Sequence, residues 1–302
     1  MYSLLLAAAA LFACASSFAQ TLYTTSLRTF ASGGQDKIVG NLYTVNLSDA
    51  TARLVAPILL KGETGVGITG LAAHPVTGVF YAITSPLSPV NPRSLVTLDV
   101  NTGAADLVGP LGTAGSDIAF DPKGNLYMWL PGTSQLGAVD LQTAHVEPLG
   151  PPGPAGNTGG IAIDEKGVAY VTPNGAAGTL DRVDTATGML TKGPPLTGMP
   201  FPSGVAAMAF TPSGLLLALN SNGGSPASVR LVTINTKTGQ VNVIGSLPDD
   251  SDSLAFAAVG SHGLQAMLAT MSGRNLALVS LVIGLAIAVV AMLVVGAFKK
   301  KS

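Results

Sequence analysis

Four aspartates could together hold a metal ion, because they lie near the starts of two apolar segments of this chain. Asp117 directly precedes the segment Ile-Ala-Phe, and Asp252 directly precedes Ser-Leu-Ala-Phe-Ala. Asp249 and Asp250 stand close enough to Asp252 along the chain to contribute further carboxylates. Ca²⁺ is a hard cation that prefers oxygen ligands, so these residues predict a calcium site if the two segments come together in the fold.

The same aspartates have a second interpretation as a solvated acidic loop, which the segment Pro248-Asp-Asp-Ser-Asp252 favours. No other catalytic or metal-binding group is indicated by spacing. His74, His145 and His262 lie too far apart in sequence to predict a metal-ligand pair. The chain has no Gly-x-Ser-x-Gly motif, so the sequence nominates no catalytic nucleophile.

Repeated segments must position these residues, because two phrases alternate along the middle of the chain. The first is an apolar run, a short turn ending in glycine and a second apolar run, and its copies begin at Gly70, Asp117, Gly160 and Ala207. The copies of the second phrase are Leu42–Val55, Leu95–Gly109, Leu136–Gly150, Leu180–Gly193 and Leu231–Gly245. Each phrase is typical of a β-hairpin.

One copy of each phrase supplies four strands, which is the strand count of one β-propeller blade. Leu22-Tyr-Thr-Thr25 resembles the second strand of the first phrase, and Ser253-Leu-Ala-Phe-Ala257 resembles the first strand that it lacks. The predicted fold is therefore an all-β propeller over residues 20–260, with five blades and a ring closed by pairing between its two ends. If Ser253–Leu268 begins a blade of its own, the number of blades is six.

Several conspicuous residues of the repeats have structural interpretations. Asp and Asn in turns accept hydrogen bonds from backbone amides, which explains four aspartates in or beside the repeat turns. These are Asp121, Asp140, Asp164 and Asp184. Trp129, the only tryptophan, ends an inner hairpin. We expect it to pack between blades, and lining a ligand-binding mouth is the alternative.

Residues 1–19 are typical of a secretory signal peptide. The apolar run Leu4–Phe18 is short for a bilayer span, and small residues occupy the −3 and −1 positions of a cleavage site between Ala19 and Gln20. A lipoprotein signal is the alternative, since the residues before Cys14 resemble a lipobox. Cys14 is the only cysteine, so its removal would leave neither a disulfide nor a thiolate zinc site.

The segment 276–298 predicts one C-terminal transmembrane helix after a juxtamembrane linker, 261–275. It contains no charged residue, and a helix of this length spans about 35 Å, enough for a bilayer core. Three lysines follow it directly, Lys299, Lys300 and Lys301. The positive-inside bias then predicts a cytoplasmic tail, 299–302, and a single-pass protein of the cell membrane with residues 20–273 outside the cytoplasm. A buried core helix is the alternative.

Composition favours a turn-rich β protein, because 37 glycines and 20 prolines accompany only 10% charged residues. Residues 20–273 contain eleven Lys/Arg and all sixteen Asp/Glu, a net charge of −5. Binding to nucleic-acid phosphates needs clustered basic residues, and the only such cluster lies in the last four residues. The sequence therefore argues against a nucleic-acid partner.

The segment Phe120-Asp-Pro-Lys-Gly-Asn-Leu-Tyr127 resembles the repeat core of bacterial secreted propellers of the NHL and gluconolactonase/regucalcin-like kind. The resemblance covers roughly residues 22–260 and implies blades rather than an activity. Gluconolactonase-like members bind a divalent cation with acidic and Asn side chains at the central channel. That ligand set has no residue-by-residue match in this sequence.

Two functions follow from these observations. The first is a membrane-anchored binding or scaffolding module, not an enzyme, whose propeller presents loops such as Ser85–Ser94 and Asn220–Ser228 to an extracellular protein or glycan. The alternative is an exported metal-dependent hydrolase or lactonase, with Asp117 and Asp252 at the channel. Calcium bound in the channel would be its cofactor.

Overall fold

The computed structural model describes residues 20–30, 36–37, 39–62, 64–156, 159–173 and 178–257. The predicted signal peptide and its cleavage site before Gln20, the linker, the transmembrane helix and the lysine tail lie outside these residues or at their edge, and they stay predictions. Within the described ranges, no helix has the length and apolar character needed to cross a membrane.

The described residues form 24 β-strands. The first twelve are β1 (Leu22–Ser26), β2 (Thr29–Phe30), β3 (Asp36–Lys37), β4 (Asn41–Val45), β5 (Ala52–Pro57), β6 (Leu59–Leu60), β7 (Thr64–Gly65), β8 (Ile68–Ala73), β9 (Phe80–Thr84), β10 (Ser94–Leu98), β11 (Ala104–Pro110) and β12 (Ile118–Phe120). The others are β13 (Leu126–Leu130), β14 (Gln135–Val139), β15 (Val146–Leu149), β16 (Ile161–Ile163), β17 (Ala169–Val171), β18 (Asp181–Val183), β19 (Leu190–Thr191), β20 (Val205–Phe210), β21 (Leu216–Ser221), β22 (Val229–Ile234), β23 (Val241–Leu247) and β24 (Ser251–Phe256).

Five antiparallel sheets of four main strands form the blades of a propeller. Blade 1 has the order β24-β1-β4-β5, and blade 2 consists of β8 to β11, with the short strands β6 and β7 added beyond β11. Blades 3, 4 and 5 are β12 to β15, β16 to β19 and β20 to β23. The five-blade prediction is confirmed. The six-blade alternative is wrong, because β24 pairs with β1 instead of starting a new sheet.

Blade 1 joins the two ends of the repeat array, as the sequence predicted. Leu22 pairs with Phe256 and Thr25 pairs with Ser253 across the antiparallel β1–β24 ladder. Buried side chains add to the pairing, since the Thr24 hydroxyl donates to the Ser253 carbonyl oxygen at 2.7 Å. The Thr25 and Ser253 hydroxyl oxygens lie 2.5 Å apart. The ring is therefore closed by hydrogen bonds and leaves no open sheet edge at this point.

The apolar core is divided among the five interfaces between adjacent blades. Each of five buried clusters combines residues of two neighbouring blades. Trp129 is 0% exposed and belongs to the cluster between blades 3 and 4, so the packing interpretation applies and Trp129 does not line a mouth. A single blade cannot bury both of its faces, and the ring supplies every blade with two partners.

The turn aspartates stabilise the hairpins in the predicted way. Asp121 Oδ1 accepts hydrogen bonds from the amides of Lys123 and Asn125, each at 2.9 Å. Equivalent pairs of amide donors bind the carboxylates of Asp140, Asp164 and Asp184. For the two exposed turns of Asp140 and Asp184, these hydrogen bonds lower the pKa of the carboxyl group.

Candidate functional site

The innermost strands of the blades, β24, β8, β12, β16 and β20, surround the propeller axis and all run in one direction. Their first residues therefore meet at one opening of the central channel, the strand-start mouth, and their last residues meet at the other, the strand-end mouth. A cavity of about 300 Å³ lies at the strand-start mouth and one of about 360 Å³ at the strand-end mouth.

Asp117 separates the two cavities. Its neighbour Ser116 lines the strand-start cavity, whereas Ile118 lines the strand-end cavity. The other inner strands have small residues at the same repeat position: Gly70, Gly160, Ala207 and Ser253. A Cβ atom on Gly70 would lie 3.1 Å from Asp117 Cα, so the channel is narrow at this level. Asp117 carries the one long side chain of this ring, and it is 0% exposed.

The Asp117 carboxylate joins three blades through backbone amides. Its Oδ1 accepts from the Ile118 amide, and its Oδ2 accepts from the amides of Ile161 and Met208, each at 3.0 Å. Burial raises the pKa of Asp117 well above its usual value, and the three amide donors act in the opposite direction. These contacts make Asp117 a structural link between blades 3, 4 and 5.

The strand-start cavity is surrounded by the residues that precede this ring. Thr69, Ser116, Ala206 and Asp252 stand one position before Gly70, Asp117, Ala207 and Ser253, and all four line the cavity. The predicted loop segments also contribute, through Ser85, Pro86 and Leu87 of blade 2 and through Ser221 and Gly223 of blade 5. The prediction that inner-strand starts encircle one mouth is thus met.

Two of these residues are placed by irregularities in strand pairing. In β8 the partners shift between Ile68 and Gly70, which leaves Thr69 as the unpaired extra residue. In β24, Ser251 and Ser253 pair with consecutive residues of β1, which leaves Asp252 unpaired in the same way. A β-bulge of this kind redirects a side chain away from its regular position. Thr69 and Asp252, the residues left out of the pairing, both line the cavity.

Asp252 and Thr69 are chemically unusual members of the wall. Asp252 is partly buried, and no described residue donates a hydrogen bond to its carboxylate. Burial, followed by repulsion from Asp250, raises the pKa of Asp252 well above its usual value. Thr69 is 6% exposed, and its hydroxyl has no hydrogen-bond partner within the described ranges.

The other two acidic residues of the predicted calcium site lie elsewhere than in the cavity wall. Asp250 is buried, and its Oδ1 accepts a hydrogen bond from the Ala227 amide at 3.0 Å. Its Oδ2 lies 3.4 Å from Arg28 Nε. Asp249 is exposed. Asp252 lies close enough to Asp117 for its charge to contribute to the raised pKa of Asp117. No three acidic, histidine or cysteine side chains among the described residues converge as metal ligands, and the calcium site stays a prediction.

The strand-end mouth has a different character. Phe120, Phe210 and Phe256 line it, together with the turn residues Asp121 and Asp164. Both aspartates are engaged by amides of their own turns, as described above, so their carboxylates stabilise the fold. This mouth has aromatic surface. Among the described residues, it has no buried polar side chain without a hydrogen-bond partner, unlike the strand-start mouth with Thr69.

Sequence reasoning did not find Thr69 or the contact between Arg28 and Asp250. The repeat alignment contains a signal for Thr69, because it precedes Gly70 as Asp252 precedes Ser253. Nothing in the sequence marks Arg28, since its partner Asp250 lies 222 positions away and the two meet only when the ring closes.

Comparisons with known proteins identify the architecture only. No protein-family model and no curated protein sequence matches the chain. The crystal structure of a nidogen/laminin complex contains a chain similar over 80% of this protein and 99% of its own length, with 14% identity and a TM-score of 0.51. A protein of unknown function from Bacteroides caccae matches over 79% of this chain and 99% of its own length, with 14% identity and a TM-score of 0.47. The shared fold is a β-propeller, and the NHL or gluconolactonase-like subtype stays a prediction.

Proposed function

We propose that the protein is a membrane-anchored extracytoplasmic binding or scaffolding module whose ligand docks at the strand-start mouth. A propeller provides a rigid platform on which loops from several blades converge, and binding sites commonly lie on loops held by such a scaffold. The observation that carries the proposal is the strand-start cavity, where Asp252 and Thr69 hold polar atoms that take part in no described hydrogen bond.

The loops around this mouth support the same choice of face. The connection from β9 to β10 covers Ser85–Arg93, and that from β21 to β22 covers Asn222–Ser228; both lie at the strand-start rim. Leu87, in the first of them, is 48% exposed beside the cavity. An exposed apolar side chain next to a cavity that contains a few polar groups is typical of a protein or glycan contact surface.

The described part of the chain begins and ends at the rim opposite this mouth. Leu22 and Phe256 pair at the strand-end rim, and the Ala257 amide donates to the Thr21 carbonyl oxygen there at 3.0 Å. The chain therefore enters and leaves the propeller at the strand-end rim. The proposed tether thus begins at the rim opposite the proposed docking face.

The proposal is tested by binding of the full-length chain, in detergent, to defined peptide libraries and glycan arrays. We expect at least one ligand whose binding is lost in Leu87→Asp and kept in Val76→Asp. Val76 is the matched control because it is 64% exposed and lies in the β8–β9 turn at the opposite rim. Ligands that bind both variants equally, or that are lost only in Val76→Asp, would contradict the choice of face.

A further inference from the structure

The Thr69 hydroxyl is an orphan group in the wall of the strand-start cavity, because no described residue pairs with it. It is nine-tenths buried, and a buried hydroxyl without a partner costs free energy. The bulge in β8 takes Thr69 out of regular pairing with the neighbouring strand β9, and Thr69 lines the cavity. A ligand that hydrogen-bonds to Thr69 would remove that cost.

Asp252 supplies the charge of the same cavity. No other Asp, Glu, Lys, Arg or His contributes to its wall among the described residues. The neighbouring charges are those of Asp250, which is engaged by Arg28, and Asp117, which lies below the cavity floor. Asp250, the neighbour that acts on Asp252 electrostatically, is acidic, and the Arg28 side chain close by is already paired with it.

The rest of the wall is apolar or carries hydroxyl groups. Leu27, Pro86, Leu87, Ala114 and Pro131 provide aliphatic surface around the entrance. An ammonium group has three hydrogen-bond donors and no acceptor, and a lysine side chain carries it on a flexible aliphatic stem. The two polar groups would then meet the ammonium, and the aliphatic surface would cover the stem.

We propose that the strand-start mouth binds a lysine side chain of a partner polypeptide, with its ammonium group between the Asp252 carboxylate and the Thr69 hydroxyl. This inference rests on the proposed function, because it assigns the ligand chemistry of the same mouth. The negative charge of Asp252 selects a cationic ligand, and a hydrogen bond to the Thr69 hydroxyl fixes the position of its ammonium group. A cavity of about 300 Å³ accommodates one such side chain, so a single basic residue acts as the anchor.

Three probes test the proposal on the full-length chain in detergent at neutral pH, with binding followed by NMR titration. They are acetyl-Gly-Lys-Gly-amide, the same peptide with norleucine in place of lysine, and n-butylamine. We expect the lysine peptide to bind at least ten-fold more tightly than the norleucine peptide, which has the stem without the charge. We also expect it to bind more tightly than n-butylamine, which lacks the polypeptide.

Variants assign the effect to the two residues. Asp252→Asn should weaken binding of the lysine peptide at least ten-fold, and Thr69→Val should weaken it about three-fold. Thr69→Val keeps the side-chain shape and removes no described hydrogen bond, so its melting temperature reports whether the fold is intact. Asp249→Asn is the matched control, because it removes an exposed carboxylate three positions from Asp252 and should leave binding unchanged.

Equal binding of the lysine and norleucine peptides, or unchanged lysine-peptide binding in Asp252→Asn, would overturn the ammonium site. Equal binding of n-butylamine and the lysine peptide would overturn the polypeptide source in favour of a free amine. A ligand from the library screen that needs Leu87 and lacks a basic group would also overturn the ammonium site, while the proposed function would stand. If no ligand depends on the mouth at all, the proposed function itself fails.

Discussion

The Asp117 carboxylate lies 3.0 Å from the backbone nitrogen of Met208, 91 positions further along the chain. The same oxygen accepts the Ile161 amide from the blade between them. An asparagine at this position can present one carbonyl oxygen, and its NH₂ group would face an amide donor. A buried donor without an acceptor costs about 1–3 kcal/mol.

We therefore expect Asp117→Asn to lower the free energy of unfolding by about 3 kcal/mol, and Asp117→Ala to lower it further. Chemical denaturation of the full-length chain measures both losses. Asp249→Asn is the control, because its carboxylate is exposed and its loss should change stability by less than about 0.5 kcal/mol. Equal stability of Asp117→Asn and the native chain would show that the three amides are satisfied in another way.

The carboxylate of Asp252 should make stability depend on pH. Burial and the nearby Asp250 raise the pKa of Asp252 in the folded chain, so its contribution to stability is present below the unfolded pKa and is lost as pH rises through the raised pKa. Asn cannot ionise, so the Asp252→Asn variant does not lose stability in this way as pH rises. We expect the variant to match the native chain in acid, below the unfolded pKa, and to melt at a higher temperature at neutral pH and above.

Thermal unfolding at a series of pH values gives this comparison directly. A variant that melts below the native chain at neutral pH would contradict the expected sign. Greater stability of the variant, together with weaker binding of the lysine peptide, would show a cost in stability that is retained for binding.

Ring closure through blade 1 can be made covalent. The hydroxyl oxygens of Thr25 and Ser253 are 2.5 Å apart although the residues are 228 positions apart. In a Cys14→Ser background, the pair Thr25→Cys and Ser253→Cys should form a disulfide under oxidising conditions. Closing so long a loop stabilises by up to about 5 kcal/mol in the chain-entropy model.

Non-reducing electrophoresis and thiol titration detect the bond, and melting with and without reductant measures its effect. The Thr25→Cys single variant controls for the substitution itself. Two freely reactive thiols in the double variant after oxidation would contradict the described β1–β24 pairing.

Glycines in two hairpin turns, one outer and one inner, test contacts between blades. Gly188 has φ = +70°, and a Cβ atom there would collide with the Leu149 carbonyl group of blade 3. Gly214 has φ = +81°, and a Cβ atom there would have no described neighbour within 4 Å. Left-handed backbone costs an alanine about 1–2 kcal/mol at either site.

Gly214→Ala should therefore lose about 1 kcal/mol, whereas Gly188→Ala should lose several times more because backbone atoms must move. Denaturation midpoints of the two variants give the comparison. Similar losses in both would mean that blades 3 and 4 do not approach closely at this turn.

The predicted calcium site has a distinct signature. Asp117 is already engaged by three amides, whereas Asp252 has no described donor. If calcium binds in the channel, we expect elemental mass spectrometry to find it lost in Asp252→Asn. In that case chelator should lower the melting temperature of the native chain. No metal in the native chain, with melting unchanged by chelator, would end the calcium prediction and the metal-dependent hydrolase with it.

The sequence predicted the blades well because their hairpins are local. Turn residues such as Asp121 act on amides two and four positions away, so their role can be inferred from neighbouring residues. The pairing of Ser253 with Thr25 was also predictable, since a missing strand at one end of the array matched a surplus strand at the other.

The site was predicted less well because its properties depend on irregular pairing and on contacts that are remote in sequence. Asp117 and Asp252 were predicted to hold a metal ion together, yet one faces amides of two other blades and the other faces a cavity. A one-residue difference in repeat position separates these environments. The bulge at Thr69 has no signature in residue type that would reveal an unpaired hydroxyl.

The closure of blade 1 also determines when the protein can finish folding. During synthesis, β1 emerges first and has to wait for β24, so the native ring cannot exist until residue 256 has left the ribosome. Until then β1 offers an unpaired edge, and the strand-start mouth lacks Asp252. A chain shortened before Ser251 would remain an open arc, prone to association through that edge. Binding competence is thus acquired only with the final strand.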